Sequence, residues 1–280
     1  MRLAIFSDVH GKLLLPFKLV DHYQKTSGKS IDFILQCGDL GAYLDLNQLD
    51  KATIRHAQYN RDELGFHDDF CTVNPEINRF LEELNIPMIC VRGNHEDHAF
   101  LDEQEQKFPS ESRFPIDVYQ KVWMCKTGWK QTLAVRDETL AFVGIGRIGD
   151  RKQRSEDRFI QEYERRELRK LHSSKEHFDI LISHDKDDST PDYGMREIRE
   201  LLDHVLFEYH FYGHTGEPFK EETASNGITR SIKVRELEFG PNGILLPGCM
   251  LTLEKSGDGL QLEVLDQKWT NSHPKHHWKF

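Results

Sequence analysis

The side chains of this sequence that could do chemistry fall into five short polar clusters: Asp8-Val9-His10, Gly38-Asp39-Leu40-Gly41, Gly93-Asn94-His95-Glu96, Ser183-His184-Asp185 and Gly213-His214-Thr215-Gly216. Each follows, directly or within a few residues, an apolar run of the kind that makes a buried strand. The carboxyl ends of strands are where open α/β sheets bind ligands. Singly, none of the clusters is specific: D-x-H arises often by chance, G-N-H can be a turn with a polar tip, and one histidine after a strand is usually a structural hydrogen-bonder. Together they supply carboxylates, an amide oxygen and several imidazoles, a mixed donor set suited to Mn, Fe, Zn, Ni or Co. A purely structural reading needs five coincidences of position, so the clusters read as one metal site.

The elements that must position them follow an α/β rhythm, in which short runs rich in β-branched residues alternate with helical stretches. Buried strands are expected over Arg2 to Ser7, Phe33 to Gln36, Met88 to Val91, Asp179 to Ser183 and Phe207 to Tyr212. Thr132 to Val135 and Leu140 to Gly144 read as a hairpin. Ser231 to Val234, Ile244 to Leu246, Met250 to Glu254 and Leu260 to Leu265 read as late strands separated by Gly, Pro and Asn turns. Helices are expected over Leu15 to Lys25, Pro75 to Leu84, Ser155 to about His172, with Phe159, Tyr163 and Leu171 as its apolar stripe, and around Met195 to Leu206. No internal repeat or low-complexity linker divides the chain. The expectation is one domain over residues 1–280, with two sheets face to face and a polar, helix-prone insertion at 42–74 above the strand ends.

Composition bounds the class. The 280 residues carry a formal net charge of −10, and a hydrophobic fraction of 38% suffices for a core while excluding disorder throughout. No run approaches the 18 or so apolar residues of a membrane-spanning helix, so no membrane partner is expected. A carboxylate at Asp8 comes too early for a secretory signal, and the five cysteines are odd in number and never form C-x-x-C. A cytoplasmic protein with free, mostly buried thiols is expected. The acidic balance argues against an indiscriminate polyanion binder. The tail His273-Pro274-Lys275-His276-His277-Trp278 reads as a solvated terminus rather than a metal site.

The ordered set D-x-H, G-D-x-G, G-N-H-E, H, G-H resembles the calcineurin-like metallophosphoesterase superfamily from Asp8 to His214, with Arg92-Gly93-Asn94-His95-Glu96 an especially close match. The resemblance implies a four-layer αββα sandwich and a two-metal centre at the strand ends. Asp8 and His10 would hold the first metal, Asp39 would bridge both, and Asn94, His184 and His214 would hold the second. His95 would be catalytic rather than a ligand, beside the scissile group. Glu96 and Asp185 are candidates for orienting imidazoles. The implied cofactors are two divalent transition-metal ions, Mn foremost, with Fe, Zn, Ni or Co as alternatives. Two cations roughly 3.5–4 Å apart can share a hydroxide and neutralise the charge that builds on a phosphoryl group, so no nucleophilic side chain is required. Accordingly, no G-x-S-x-G elbow or Walker A loop occurs. The chain departs from the family pattern at Gly216, where most members have a histidine on the first metal. Glu217, His56 and His67 are the candidates to replace it.

The implied activity is metal-dependent hydrolysis of a phosphoester. Arg147 and Arg92 are possible phosphate contacts, whereas Arg151, Lys152 and Arg154 read as a solvated face. The blocks Cys37-Gly38-Asp39, Gly144-Ile145-Gly146 and Ile182-Ser183-His184-Asp185 are similar to the lariat-debranching branch, although that branch has Cys where this chain has Asp8. A phosphodiesterase acting on nucleic acid is therefore the alternative. A degenerate fold used as a protein-interaction scaffold is a third reading, against which the retention of His95 weighs.

Overall fold

The apolar runs at the start of the chain are apolar on both faces because both faces are covered. In β1 (Arg2–Phe6) Leu3 and Ile5 point into a core between two sheets, while Ala4 and Phe6 point into a second core beneath helices. This pattern recurs in the computed structural model of the protein, which describes residues 1–189, 194–257, 259–275 and 278–279. In β8 (Ile180–Ser183), Ile180 and Ile182 join the inter-sheet core and Leu181 the outer one. The result is a four-layer arrangement of helices, sheet, sheet and helices.

The first sheet runs in the order β13 (Gly259–Val264), β12 (Leu251–Ser256), β1, β2 (Phe33–Gln36), β3 (Met88–Cys90), β5 (Val122–Cys125) and β4 (Arg113–Pro115). Its centre, β1-β2-β3-β5, is parallel, in the register Leu3 to Phe33, Ile34 to Met88 and Met88 to Val122. The second sheet runs β10 (Lys220–Thr223), β11 (Arg230–Lys233), β9 (Tyr209–Tyr212), β8, β7 (Glu138–Ile145) and β6 (Lys130–Val135). Its parallel centre is β11-β9-β8-β7.

Helix α1 (Leu14–Ser27) packs on the outer face of the first sheet through Leu15, Leu19 and Val20, and Gly28 ends it at φ 70°, where its N–H reaches Gln24 O. Stretch 42–74 contains α2 (Lys51–Ala57), α3 (Gly65–Phe70) and two 3₁₀ turns, and Phe66 and Phe70 anchor it to the same core. Helix α4 (Pro75–Leu84) has Asn74 as its cap and Pro75 in its first turn. Helix α5 (His98–Lys107) follows, capped by Asp97. Helices α6 (Glu162–Leu171) and α7 (Arg196–His204) cover the second sheet through Leu168, Leu171, Ile198, Leu201 and Leu202. Each large aliphatic side chain so buried contributes about 1.5–3 kcal/mol.

The structure corrects several expectations. The charged helix does not start at Ser155, whose φ is 55°, but at Glu162, with a capping box between Gln161 and Glu164. Burial of Phe159 and Ile160 outweighs the helical pattern upstream: Ile160 N–H bonds to Ile148 O at 3.0 Å and holds the segment extended. The buried face of α6 is thus Glu164, Leu168 and Leu171, and Tyr163 is exposed. Ile244 to Leu246 contributes only a bridge from Leu245 to Phe239. The three- and four-residue strands β4, β5 and β10 and helix α5 carry too little periodicity to be read in advance. The tail is not simply solvated: Trp278 is buried and its indole N–H lies 3.4 Å from Asp62 Oδ2, while His276 and His277 fall outside the described residues.

Candidate metal centre

Three neighbouring parallel strands of the first sheet deliver Asp8, Asp39 and the pair Asn94 and His95 at their carboxyl ends. The parallel neighbours β8 and β9 of the second sheet deliver His184 and His214. The ends meet because the sheets pack face to face with their parallel strands arranged to open on the same edge. Donor atoms of Asp8, His10 and Asp39 lie within 4.8 Å of one another, and so do those of Asp39, His184 and His214. Asp39 belongs to both groups.

Local backbone is given over to this convergence. Asp8, His10, Asp39 and His214 have φ between 42° and 65°, a left-handed region that non-glycine residues seldom occupy and that clusters at functional sites. Gly93 lacks the Cβ that would collide with Asp39 Oδ1. Its absence lets the N–H groups of Asn94 and His95 reach that oxygen at 2.7 and 2.8 Å. Gly213 similarly makes room for Asp8, whose carboxylate accepts from His214 N–H at 3.1 and 3.2 Å and from the Ser7 hydroxyl.

The donor chemistry fits a divalent cation. His184 is fully buried and its Nδ1 lies 2.9 Å from the Cys37 carbonyl, to which it donates. In the neutral ring Nε2 then presents a lone pair to Asn94 Oδ1 at 3.1 Å and Asp39 Oδ2 at 3.2 Å. Three lone-pair atoms so placed repel one another unless a proton or a cation lies among them. Burial alone would lower the His184 imidazole, but the Asp39 carboxylate outweighs it and raises the group to about 9. The reciprocal interaction holds Asp39 well below the usual carboxylate range despite its burial. Burial and the neighbouring His184 lower His214.

His95 has a different partner. Its Nδ1 lies 2.7 Å from Asp50 Oδ2, and its ring meets that of His10 edge-on at 5.6 Å. Asp50 is also the cap of α2, accepting from the N–H groups of Ala52 and Thr53, and is held by the Tyr43 hydroxyl at 2.5 Å. Burial alone would lower His95, but this hydrogen bond and the Asp39 charge raise it to about 9.

Several predicted roles are corrected. Glu96 does not orient an imidazole: its carboxylate accepts from the N–H groups of Leu40, Ala42 and Gly93 and ties the Asp39 loop to the Asn94 loop. Burial, helped by the Asp39 charge, pushes its carboxyl up to about 7. Asp185 accepts from Gly149 and Lys186 N–H instead of a histidine. Arg92 and Arg147 are not phosphate contacts. Both are buried, Arg92 against Asp102 and Glu105 and Arg147 against Asp102 and Glu164. His56 and Glu217 are exposed, His67 is half-buried, and all three lie outside both donor groups: His67 Nδ1 meets Leu44 O, and Glu217 accepts from the Thr215 hydroxyl.

Two residues at the site were missed. Asp50 carries a sequence signal only as a helix cap. Glu236 carries none: it lies just past β11, in a parallel bridge with Ser7, and the charges it faces are Asp8, His10, Lys233 and Asp39.

With this geometry in place, comparison with known proteins gives the class. Residues 1–218 match the sequence model of the calcineurin-like phosphoesterases, and the chain belongs to that family of metal-dependent phosphoester hydrolases. No curated protein matches. A solved structure at 15% identity aligns over 95% of this chain and 99% of its own with a TM-score of 0.54, a likeness of fold. The protein TT1561 of Thermus thermophilus, at 15% identity, aligns over 94% of this chain and 98% of its own with a TM-score of 0.49. The sulfate thiohydrolase SoxB of Thermus thermophilus, at 14% identity, aligns over 95% and 44% with a TM-score of 0.44. Among the described residues no helix is long and apolar enough to cross a membrane.

Proposed function

We propose that this chain hydrolyses a phosphoester at a centre of two divalent cations, one held by Asp8, His10 and Asp39 and the other by Asp39, Asn94, His184 and His214. The observation that carries this reading is the shared position of Asp39, whose carboxylate is within reach of both donor groups. Bound there, the ions would supply Lewis acidity to the phosphoryl oxygens and lower the pKa of a water.

The chain's own residues do the rest. Asp39 Oδ1 is fixed by two backbone N–H groups, so the carboxylate cannot turn away from the centre. The His95 ring is oriented by Asp50 through Nδ1, which leaves Nε2 to donate to a phosphoryl or leaving oxygen. The Asp50 hydrogen bond favours the protonated imidazole, the form a general acid needs. Glu96 holds the two loops that bring Asp39 and His95 together.

The test is hydrolysis of bis-nitrophenyl phosphate and nitrophenyl phosphate, with a nucleotide diester in the same panel, by protein stripped of metal and then resupplied. Activity should vanish on stripping and return with a divalent transition ion, Mn2+ foremost. Activity undiminished by exhaustive chelation overturns the reading.

A further inference from the structure

The first donor group contains Asp8, His10 and Asp39 and lacks the imidazole that the family pattern would place at Gly216. We propose that Glu236 is a ligand of the first metal and replaces that imidazole, an inference that rests on the two-cation reading above.

The argument is one of placement. Parallel strands β8, β9 and β11 lie side by side in the second sheet, and the loops after the first two bring His184 and His214 to the centre. The chain leaving β11 at Lys233 emerges on the same edge, and three residues later reaches Glu236. There it crosses to the first sheet: Glu236 forms a parallel bridge with Ser7, and the following Leu237 N–H reaches the carbonyls of Ser7 and Asp8 at 3.2 and 3.3 Å. Glu236 is thereby fastened beside the backbone that presents Asp8.

Its side chain stands where the missing one would be. A Cβ built on Gly216 would meet a single group within 4 Å, Glu236 Oε1 at 3.6 Å. The carboxylate borders the triad rather than sitting within its 4.8 Å span, and it accepts no side-chain hydrogen bond among the described residues. Glu238, two residues on, is by contrast committed to Lys12 Nζ at 3.0 Å and to Phe239 N–H at 2.9 Å. A half-buried oxygen donor with no hydrogen-bonded side-chain partner, facing Asp8 and Asp39 with His10 and Lys233 on the other side of the balance, is in an environment that a divalent cation makes more favourable. A histidine at 216 would also be strained, since Gly216 has φ +66°.

The experiment is calorimetric titration of the metal-free full chain with Mn2+, with elemental analysis, on the unmodified protein, Glu236→Gln, Glu236→Asp and Glu217→Gln. The unmodified protein should bind two ions. Glu236→Gln should keep one at unchanged affinity and bind the other more weakly by at least about tenfold, the lower end of the loss from removing even an outer partner of a metal ligand. Glu236→Asp should fall between, and Glu217→Gln should match the unmodified protein. Two ions at unchanged affinity in Glu236→Gln overturn this inference and leave the two-cation reading standing. Loss of both ions overturns it too, because a ligand of one half leaves the other intact. A single ion, or none, in the unmodified protein overturns the two-cation reading and this inference with it.

Discussion

The two halves of the proposed centre rest on different foundations. Asn94, His184 and His214 come from loops that follow core strands of both sheets, and the ring of His184 is fully buried and fixed by the Cys37 carbonyl. On the other side Asp8 and Asp39 are buried and His10 is half-buried on a left-handed turn at φ 42°, as Asn94 and His214 are half-buried in the first. One half is held rigid by the sheets that carry it. The other also takes Asp8 and Asp39 from core strands, but His10 from the turn after β1 and, on the inference above, Glu236 from the chain leaving β11, so its order depends more on what is bound there. Preorganisation of this kind sets affinity, because a donor already in place loses little conformational freedom on binding.

The substitution with the largest expected effect removes what the halves share. Asp39→Asn should lose both ions and, with them, the metal-dependent activity. Retention of both ions in elemental analysis would show that the halves do not share Asp39. His95→Ala separates binding from turnover: both ions should stay while the rate falls by about 10²–10⁴-fold. Asp50→Asn should lower the rate less, on the order of ten- to a hundredfold, as do other groups that orient a histidine through its second nitrogen. Metal loss in His95→Ala would mark it as a ligand.

A third expectation concerns what underlies the rigid half. His210 lies buried in β9, with Nε2 2.6 Å from the Ser183 hydroxyl and Nδ1 3.1 Å from that of Ser231, and so links β8, β9 and β11. Burial lowers its imidazole from 6.5 to about 4. Between those values the unfolded chain binds a proton that the folded chain does not, so stability falls as pH drops through that window, by up to roughly 3 kcal/mol. Denaturant unfolding at pH 7, 5.5 and 4 should show this slope, reduced by about one proton in His210→Gln. Equal slopes in the two proteins would remove His210 from the account.

The smallest effect is the inequality of the halves themselves. Titration of the unmodified protein should give two affinities differing by about tenfold or more, with the second half filling first. His10→Ala should then spare the tighter event and His184→Ala abolish it. The reverse order would show that the loop-built half is the better organised one.

Most of the strand-end clusters were legible because two local signals coincide in them: an apolar run that must be buried, and polar residues directly after it that have no place in a core. The roles of individual polar residues were less legible. Glu96 and Asp185 stand beside histidines in sequence, yet their carboxylates turn to backbone N–H groups, since adjacent side chains leave a strand end in different directions. Arg92 and Arg147 sit beside the clusters and resemble anion contacts, but acidic residues of α5 and α6 claim them. The charged pattern of helix α6 continues upstream of the point where Phe159 and Ile160 turn into the core, so the pattern overstates the helix.

What the sequence by itself determined, beyond the family resemblance that implied four layers, was the alternation of strands and helices and the placement of Asp8, His10, Asp39, Asn94, His184 and His214 just after strands. Short-range patterns encode these, because burial of a strand and polarity of the turn after it depend on neighbouring residues. Tertiary structure alone decided that Asp50 holds His95 across 45 positions and that Glu236 stands beside Gly216. Those relations follow from the pairing of β9 with β11 and the bridge from Ser7 to Glu236. Pairing between distant segments is selected by packing of the whole core, and so leaves no mark in the residues immediately around Glu236 or Asp50.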